Sequence, residues 1–278
     1  MHGMICGIDE SGVGSIIGPM VFAGVAMQAE SSRTLRRWGV ADSKTLPCSA
    51  LSVIYKRIAS APQHMLMYRT STITPRELDM AAADRAGGSG SGSSRRNRGV
   101  RLREAKINRV ADIIAQLAAA CRAANRRIEA AYIDSFDADT SKLSADVASA
   151  VSSRIEFATP GPRACETPRI VCQTGADGTI LPVAAASIVA VATYRQKMRE
   201  IHRAMASRGY AVRDAEFFDS EKGGMYRYIY DYYQSHNALP EFVRANCRPM
   251  RRLVSMCSKA DRTQAAGAED RAAKSILK

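Results

Sequence analysis

The sequence predicts an α/β protein, a mixed β-sheet flanked by helices and followed by a smaller helical lobe. Three observations point there. Three strand-like runs lie near the N-terminus, the first two joined by a short link, which favours an antiparallel meander. Helical and strand-like segments then alternate. Beyond residue 180 the regular segments are helices, Leu181 to Met205 and Met225 to His236, and no strand is read.

Taken in order, Met4 to Ile8 and Met20 to Met27 are apolar runs bounded by glycine and proline, as buried strands are. Ser32 to Trp38 suits a short helix, and Ser49 to Ser60 carries Leu51, Ile54, Tyr55 and Ile58 at helical spacing. Met65 to Thr72 is a third strand. Thr74-Pro75-Arg76-Glu77 is a helix start, with Thr at the cap, Pro at the first position and Glu placed for a capping box. Residues 85–100, rich in glycine, serine and arginine, are expected to form a flexible insertion in a loop. Leu102 to Asn125 is a long amphipathic helix with Ile107, Val110, Ile114, Leu117 and Cys121 on one stripe. Glu129 to Ile133 is a strand and Lys142 to Val151 a helix. Arg154 to Phe157 and Arg169 to Cys172 are expected as the last strands. A turn at Gly175-Ala176-Asp177-Gly178 precedes a helix from Leu181 to Met205. Tyr210 to Gly224 is loop-like, and Met225 to His236 is a helix with Tyr226, Tyr230 and Tyr233 on one face. The expected organisation is a catalytic unit over residues 1–205, a helical lobe over 206–259 and a disordered tail over 260–278.

The chain has 278 residues, enough for one large domain or two modest ones. Its formal charge of +13 makes polyanions the natural partners, nucleic acid first. From Arg85 to Arg109 eight basic residues meet one acid, so this stretch alone supplies +7 of that excess. Seven cysteines lie scattered, with no Cys-x-x-Cys pair, as reduced thiols of a cytoplasmic protein would. No run reaches eighteen apolar residues, so no membrane association is expected.

The chemistry lies where strands end in acids. Asp9 and Glu10 leave the first strand and enter a loop with glycines at 12, 14 and 18. Asp134 ends the run Ala130 to Ile133, at the edge where open α/β sheets hold ligands. Asp177 sits in the glycine turn ahead of a helix, where turn chemistry and the helix dipole also favour an acid. Asp137 and Asp139 read as residues of the following turn. Four carboxylates gathered together repel one another unless cations intervene. Oxygen-only ligation suits Mg²⁺ or Mn²⁺, and two such ions about 3.5–4 Å apart serve phosphodiester hydrolysis. The glycine loop beside the acids can bring backbone N–H groups to an anion.

Gly7-Ile8-Asp9-Glu10-Ser11-Gly12-Val13-Gly14 with Ile17-Gly18-Pro19, Asp42-Ser43-Lys44 with Leu46, and Ala176-Asp177 ahead of Ala185-Ala186-Ser187-Ile188 follow one another in that order. Together these segments resemble ribonuclease HII, nearer the archaeal and eukaryotic-catalytic-subunit branch than the bacterial one. Weaker matches run through Ile73 to Asp79, Tyr132 to Ser135, Gly209-Tyr210 and Leu239 to Arg244.

The resemblance implies an RNase H-like, five-stranded mixed sheet and a two-metal endonuclease. Its substrates would be RNA–DNA hybrids and duplex DNA holding embedded ribonucleotides, cut to 5′-phosphate and 3′-hydroxyl ends. It places the metal-binding acids at Asp9, Glu10, Asp134 and Asp177, the ribonucleotide-cradling loop at Gly12-Val13-Gly14, a junction-reading tyrosine at Tyr210 and a substrate-side lysine at Lys44. It implies a cytoplasmic location, or a nuclear one in a eukaryote, and leaves room for accessory subunits. The tail shows no sliding-clamp motif. The chain departs from the family at Val13, where Arg or Lys is usual, along Val191 to Arg195, at Ala211 to Asp214, and at Ala245-Asn246-Cys247. Metal acids are kept while phosphate-contacting side chains are lost, so the expectation is retained cleavage with weaker binding. The rival expectation is a hybrid-binding protein that has lost catalysis.

Overall fold

The structure, a computed structural model, describes residues 2–82, 93–158, 167–208 and 224–257. Five strands, β1 (His2–Ser11), β2 (Met20–Met27), β3 (Leu66–Ile73), β4 (Arg126–Asp134) and β5 (Arg169–Gln173), form one sheet in the order β3-β2-β1-β4-β5. The first three run antiparallel, β1 and β2 joined by a short link and β2 and β3 by a longer one that carries two α-helices, whereas β4 and β5 run parallel to β1. Parallel pairing needs a crossover. Helix α4 (Ser93–Ala123) leads into β4, and α5 (Thr140–Ala158) carries the chain from β4 to β5.

Side chains alternate across the central strand β1. Met4, Cys6 and Ile8 face a core shared with Val110, Ile114 and Leu117 of α4 and Leu143 and Val147 of α5. The opposite face carries Gly7. A Cβ there would lie 2.1 Å from the carbonyl carbon of Pro182, so only glycine lets the first turn of α6 (Leu181–Ala206) press onto the sheet. On that face Ala23, Val25 and Met27 of β2 pack with Ala185, Ile188 and Val189 of α6 and with Leu51, Ile54 and Ile58 of α2 (Cys48–Ala59). Strand β2 is buried along its whole length, which explains its unbroken apolar run.

A third core belongs to the C-terminal lobe. Ile16 and Ile17 of the glycine loop join Met198 and Met205 of α6, Met225 and Ile229 of α7 (Gly224–His236), and Met250 and Leu253 of α8 (residues 248–257). Helix α6 thus serves both cores, one with each end. The short helices α1 (Ser32–Arg37) and α3 (Pro75–Ala82) complete the described set. At α3 the capping box forms: the Thr74 N–H donates to Glu77 Oε2 at 2.8 Å, and the Glu77 N–H donates to Thr74 Oγ1 at 3.2 Å.

Two expectations change. Arg154 to Phe157, expected as a strand, continues α5, because Ile155 extends the buried stripe of Leu143, Val147 and Val151 at helical spacing. The residues 93–100, expected in a loop insertion, are the opening turns of α4, since the helix runs on from its amphipathic portion. Residues 85–92, Tyr210 and the tail over 260–278 lie outside the described residues. Among the described residues no helix is long and apolar enough to cross a membrane.

Candidate active site

The parallel pair β1 and β4 ends side by side, Ile8 opposite Ile133, so Asp9 and Asp134 emerge together at one edge of the sheet. The turn after β5 delivers the third acid. Gly175 takes a left-handed φ of 68°, and the 3-10 turn Ala176–Gly178 follows, with Asp177 buried within it. Oxygens of Asp9, Asp134 and Asp177 lie within 4.8 Å of one another. The Ala176 N–H donates to Asp134 Oδ1 at 2.9 Å and so ties β4 to that turn.

Burial pushes the Asp9 carboxyl up to about 6, with Asp134 and Asp177 adding to the rise, while hydrogen bonds from Ser187 and the Glu10 backbone oppose it. Burial also raises Asp134. Lys44 answers this field: its Nζ donates to Asp177 Oδ2 at 2.8 Å, its own side chain 72% exposed and that of Asp177 only 3%. Contact with Asp177 in turn raises the Lys44 ammonium above its usual range.

Glu10 departs from the expected four-acid cluster. Successive residues of a strand point to opposite faces, so Glu10 turns toward α4 while Asp9 turns toward α6. Its carboxylate lies 3.8 Å from Lys106 Nζ, which itself stands 4.9 Å from the centre of the Phe136 ring. Burial raises Glu10 to about 7; Lys106 opposes the rise, and Asp9 and Asp134 reinforce it. The period-two rule was available in the sequence and predicts this split. Nothing local marked Lys106.

Beside the acids, the loop from Gly12 to Gly18 is held from below. Gly12 has φ +83°, and a Cβ there would come within 2.7 Å of the Tyr194 ring. Arg244 donates from Nε to the Gly18 carbonyl at 2.9 Å and from Nη1 to the Val13 carbonyl at 3.1 Å. Backbone bonds from Gly18 N to Phe242 O and from Arg244 N to Ile16 O clamp the same loop to the lobe. Val13 is left half exposed on top. Tyr194, one of the residues that depart from the family pattern, therefore lies beneath the loop.

Elsewhere, Asp137 Oδ1 accepts the Asp139 N–H at 3.3 Å and Asp139 Oδ1 accepts the Lys142 N–H at 2.9 Å at the start of α5, the turn roles expected of them, and Asp137 also pairs with the distant Arg103. Asp79 accepts the N–H groups of Ala245 and Asn246 at 2.9 and 2.7 Å, fastening α3 to the segment where the chain departs from the family. The six cysteines among the described residues are free thiols.

The family model described as Ribonuclease HII matches residues 6–216. A ribonuclease HII of Cenarchaeum symbiosum (strain A) is 28% identical over 251 residues, covering 89% of this chain and 97% of that protein. The crystal structure of the ribonuclease H2 from Pyrococcus horikoshii OT3 superposes with a TM-score of 0.64 at 18% identity, over 91% of this chain and 98% of that one. Bst-RNase HIII in complex with Mn²⁺ superposes with a TM-score of 0.61 at 18% identity, over 92% of this chain and 70% of that one. At those identities the two structures speak to the fold alone.

Proposed function

The chain belongs to the ribonuclease HII family, and we propose that it is a metal-dependent endonuclease that hydrolyses the RNA strand of RNA–DNA hybrids. The same reading extends to incision on the 5′ side of ribonucleotides embedded in duplex DNA, leaving 5′-phosphate and 3′-hydroxyl ends.

The observation that carries it is the triad of Asp9, Asp134 and Asp177 at one sheet edge. The donor set fits a hard divalent cation, Mg²⁺ or Mn²⁺: all ligand atoms are oxygens, two of the three acids are buried, and an ammonium already sits on Asp177. The three aspartates would hold the metal, with Glu10 as the fourth acid through its shared electrostatic field. Two bound ions would supply an activated water and charge for the departing 3′-oxygen. Everything else falls to the chain. The Ala176 N–H fixes the Asp134 carboxylate, and the Glu10 N–H fixes that of Asp9 at 2.7 Å. The Gly12-Val13-Gly14 backbone, braced by Arg244, offers its polar groups to the ribose, and a 2′-hydroxyl contact there separates RNA from DNA. Lys44 reaches the phosphate side from its exposed position, and Tyr210 is the residue assigned to the junction.

Purified protein with Mg²⁺ or Mn²⁺ is offered a DNA duplex holding one ribonucleotide, a full hybrid and a four-way junction. Cleavage of both ribonucleotide substrates, on the 5′ side in the first, is expected. Tight binding without cutting either one would favour the hybrid-binding alternative instead.

A further inference from the structure

The glycine loop is fixed at both ends and soft in the middle. At its start Gly12 lies against Tyr194, whose ring a Cβ there would approach to 2.7 Å. Further on, Ser15 Oγ donates to the Ile17 carbonyl at 2.8 Å, and Ile17 forms an antiparallel bridge with Val243 of the lobe. Between these anchors Gly12 to Ser15 fold as a tight turn, with Val13 and Gly14 at its corners and both exposed.

The two common forms of such a turn, type I and type II, differ by a half-rotation of the central peptide, here the Val13 carbonyl with the Gly14 N–H. Type II needs a left-handed φ at the second corner, which glycine adopts freely. Gly14 lies outside that region, whereas Gly12 and Gly18 take φ of +83° and +75°. Arg244 accounts for the choice. Its buried guanidinium donates from Nη1 to the Val13 carbonyl at 3.1 Å and from Nε to the Gly18 carbonyl at 2.9 Å. A hydrogen bond from a charged donor biases a two-way equilibrium by about tenfold or more.

In a trans peptide the C=O and N–H point in opposite directions, and among the described residues no peptide bond is cis. With the Val13 carbonyl turned to the guanidinium, the Gly14 N–H is turned away from it. That N–H has no acceptor among the described residues. An exposed donor without a partner, in a loop next to the acids, is free to meet an oxygen of a bound nucleotide.

We infer that Arg244 is a positioning residue for the substrate. It selects the orientation of the Val13–Gly14 peptide in which the Gly14 N–H faces the ribonucleotide, and it does so without touching nucleic acid. The inference rests on the proposed role of this loop as the ribonucleotide cradle, but the peptide orientation can be read without any substrate.

The test uses the full chain, ¹⁵N-labelled and metal-free, in nuclear Overhauser spectra. Proximity of the Val13 and Gly14 amide protons marks the present orientation; proximity of the Val13 Hα and the Gly14 amide proton marks the flipped one. The unaltered protein should show the first contact, and Arg244→Met should gain the second. Adding Gly14→Ala to Arg244→Met should bring back the first contact alone, because alanine resists a left-handed φ and its Cβ would meet nothing within 4 Å. In cleavage of a duplex holding one ribonucleotide, Arg244→Met should raise KM about three- to tenfold with kcat within about twofold, as the loss of one binding hydrogen bond does. An unflipped peptide in Arg244→Met overturns the inference, and so does a flip that leaves KM unchanged. An unaltered protein that cuts no ribonucleotide substrate overturns the functional reading and the substrate half of the inference with it, and the spectra tell that failure apart from a peptide that Arg244 does not control. Should Arg244→Met fail to fold, Arg244→Gln is read in the same spectra. Its single amide cannot hold both carbonyls, so both contacts should appear, and the first contact alone would overturn the inference.

Discussion

Arg244 donates from Nη1 to the carbonyl of Val13 at 3.1 Å, so the residue that crowns the glycine loop is held by a guanidinium 231 positions later in the chain. The same side chain reaches Gly18, and it is buried while doing so. A cation near a proposed nucleic-acid site would ordinarily be assigned to phosphate. Here the guanidinium instead binds loop carbonyls, and its burial holds its pKa below the usual arginine range.

Arg244→Met should therefore act on stability and loop order more than on charge. Two carbonyls lose their partner, for an expected cost of about 2–3 kcal/mol. Thermal unfolding reads the loss, and hydrogen exchange at Gly14 and Ile17 should quicken. An unchanged unfolding temperature would show that the loop does not depend on this brace.

Val13→Arg places a cation where the loop is 49% exposed. The change should leave stability within about 0.5 kcal/mol, as exposed substitutions usually do. It should lower KM for a duplex holding one ribonucleotide while leaving kcat nearly fixed. The salt dependence of binding should steepen by about one phosphate contact, a slope change near −0.9. Fluorescence anisotropy across a salt series measures it.

The acids make the metal-free protein sensitive to pH. Burial lifts Asp9 from 3.8 to about 6 and Glu10 from 4.5 to about 7, so the folded state holds these protons more tightly than the unfolded chain. Stability from these groups is then greatest below about pH 4 and falls as pH rises toward 7. A divalent cation restores what charge repulsion removes, and protons compete with it. The rise in unfolding temperature on adding Mn²⁺ should be larger at pH 8 than at pH 5; an equal rise at both would contradict the assignment.

Asp134→Asn separates catalysis from folding. One of three crowded charges disappears, so the metal-free variant should unfold at a higher temperature above pH 6. Cleavage should drop by roughly a hundredfold or more, because a ligand that must carry charge is gone. Cleavage at the original rate would displace the proposed site.

Lys44→Met removes the ammonium from Asp177. That ammonium and an incoming cation contend for the same oxygen, so Mn²⁺ should bind about three- to fivefold more tightly, in line with an ion pair of about 1 kcal/mol whose lysine is solvent-screened although its aspartate is buried. Substrate KM should rise, as expected of a residue serving the phosphate side. Weaker Mn²⁺ binding would instead mean that Lys44 orders Asp177 for the metal.

Much of this protein is written locally. The runs at Met4 and Met20, the capping box at Thr74 and the stripe of α4 depend on neighbours one to four residues apart, and short-range spacing reports such neighbours faithfully. The acids at strand ends were legible for the same reason, since an apolar run that stops in a carboxylate places that carboxylate at the sheet edge. What the sequence could not state is which distant groups answer those acids. Lys44 meets Asp177 across 133 positions and Ser43 meets Ser187 across 144, contacts that exist only because Gly7 admits α6 to the sheet and the turn at Asp42 closes over it. Strand alternation, a local rule, already sends Asp9 and Glu10 to opposite faces; packing then gives Glu10 to Lys106 and Asp9 to Asp134 and Asp177. Residue type and spacing determined that carboxylates gather here; tertiary packing decided which of them face one another, because side-chain distance is set by the elements brought together and not by separation along the chain.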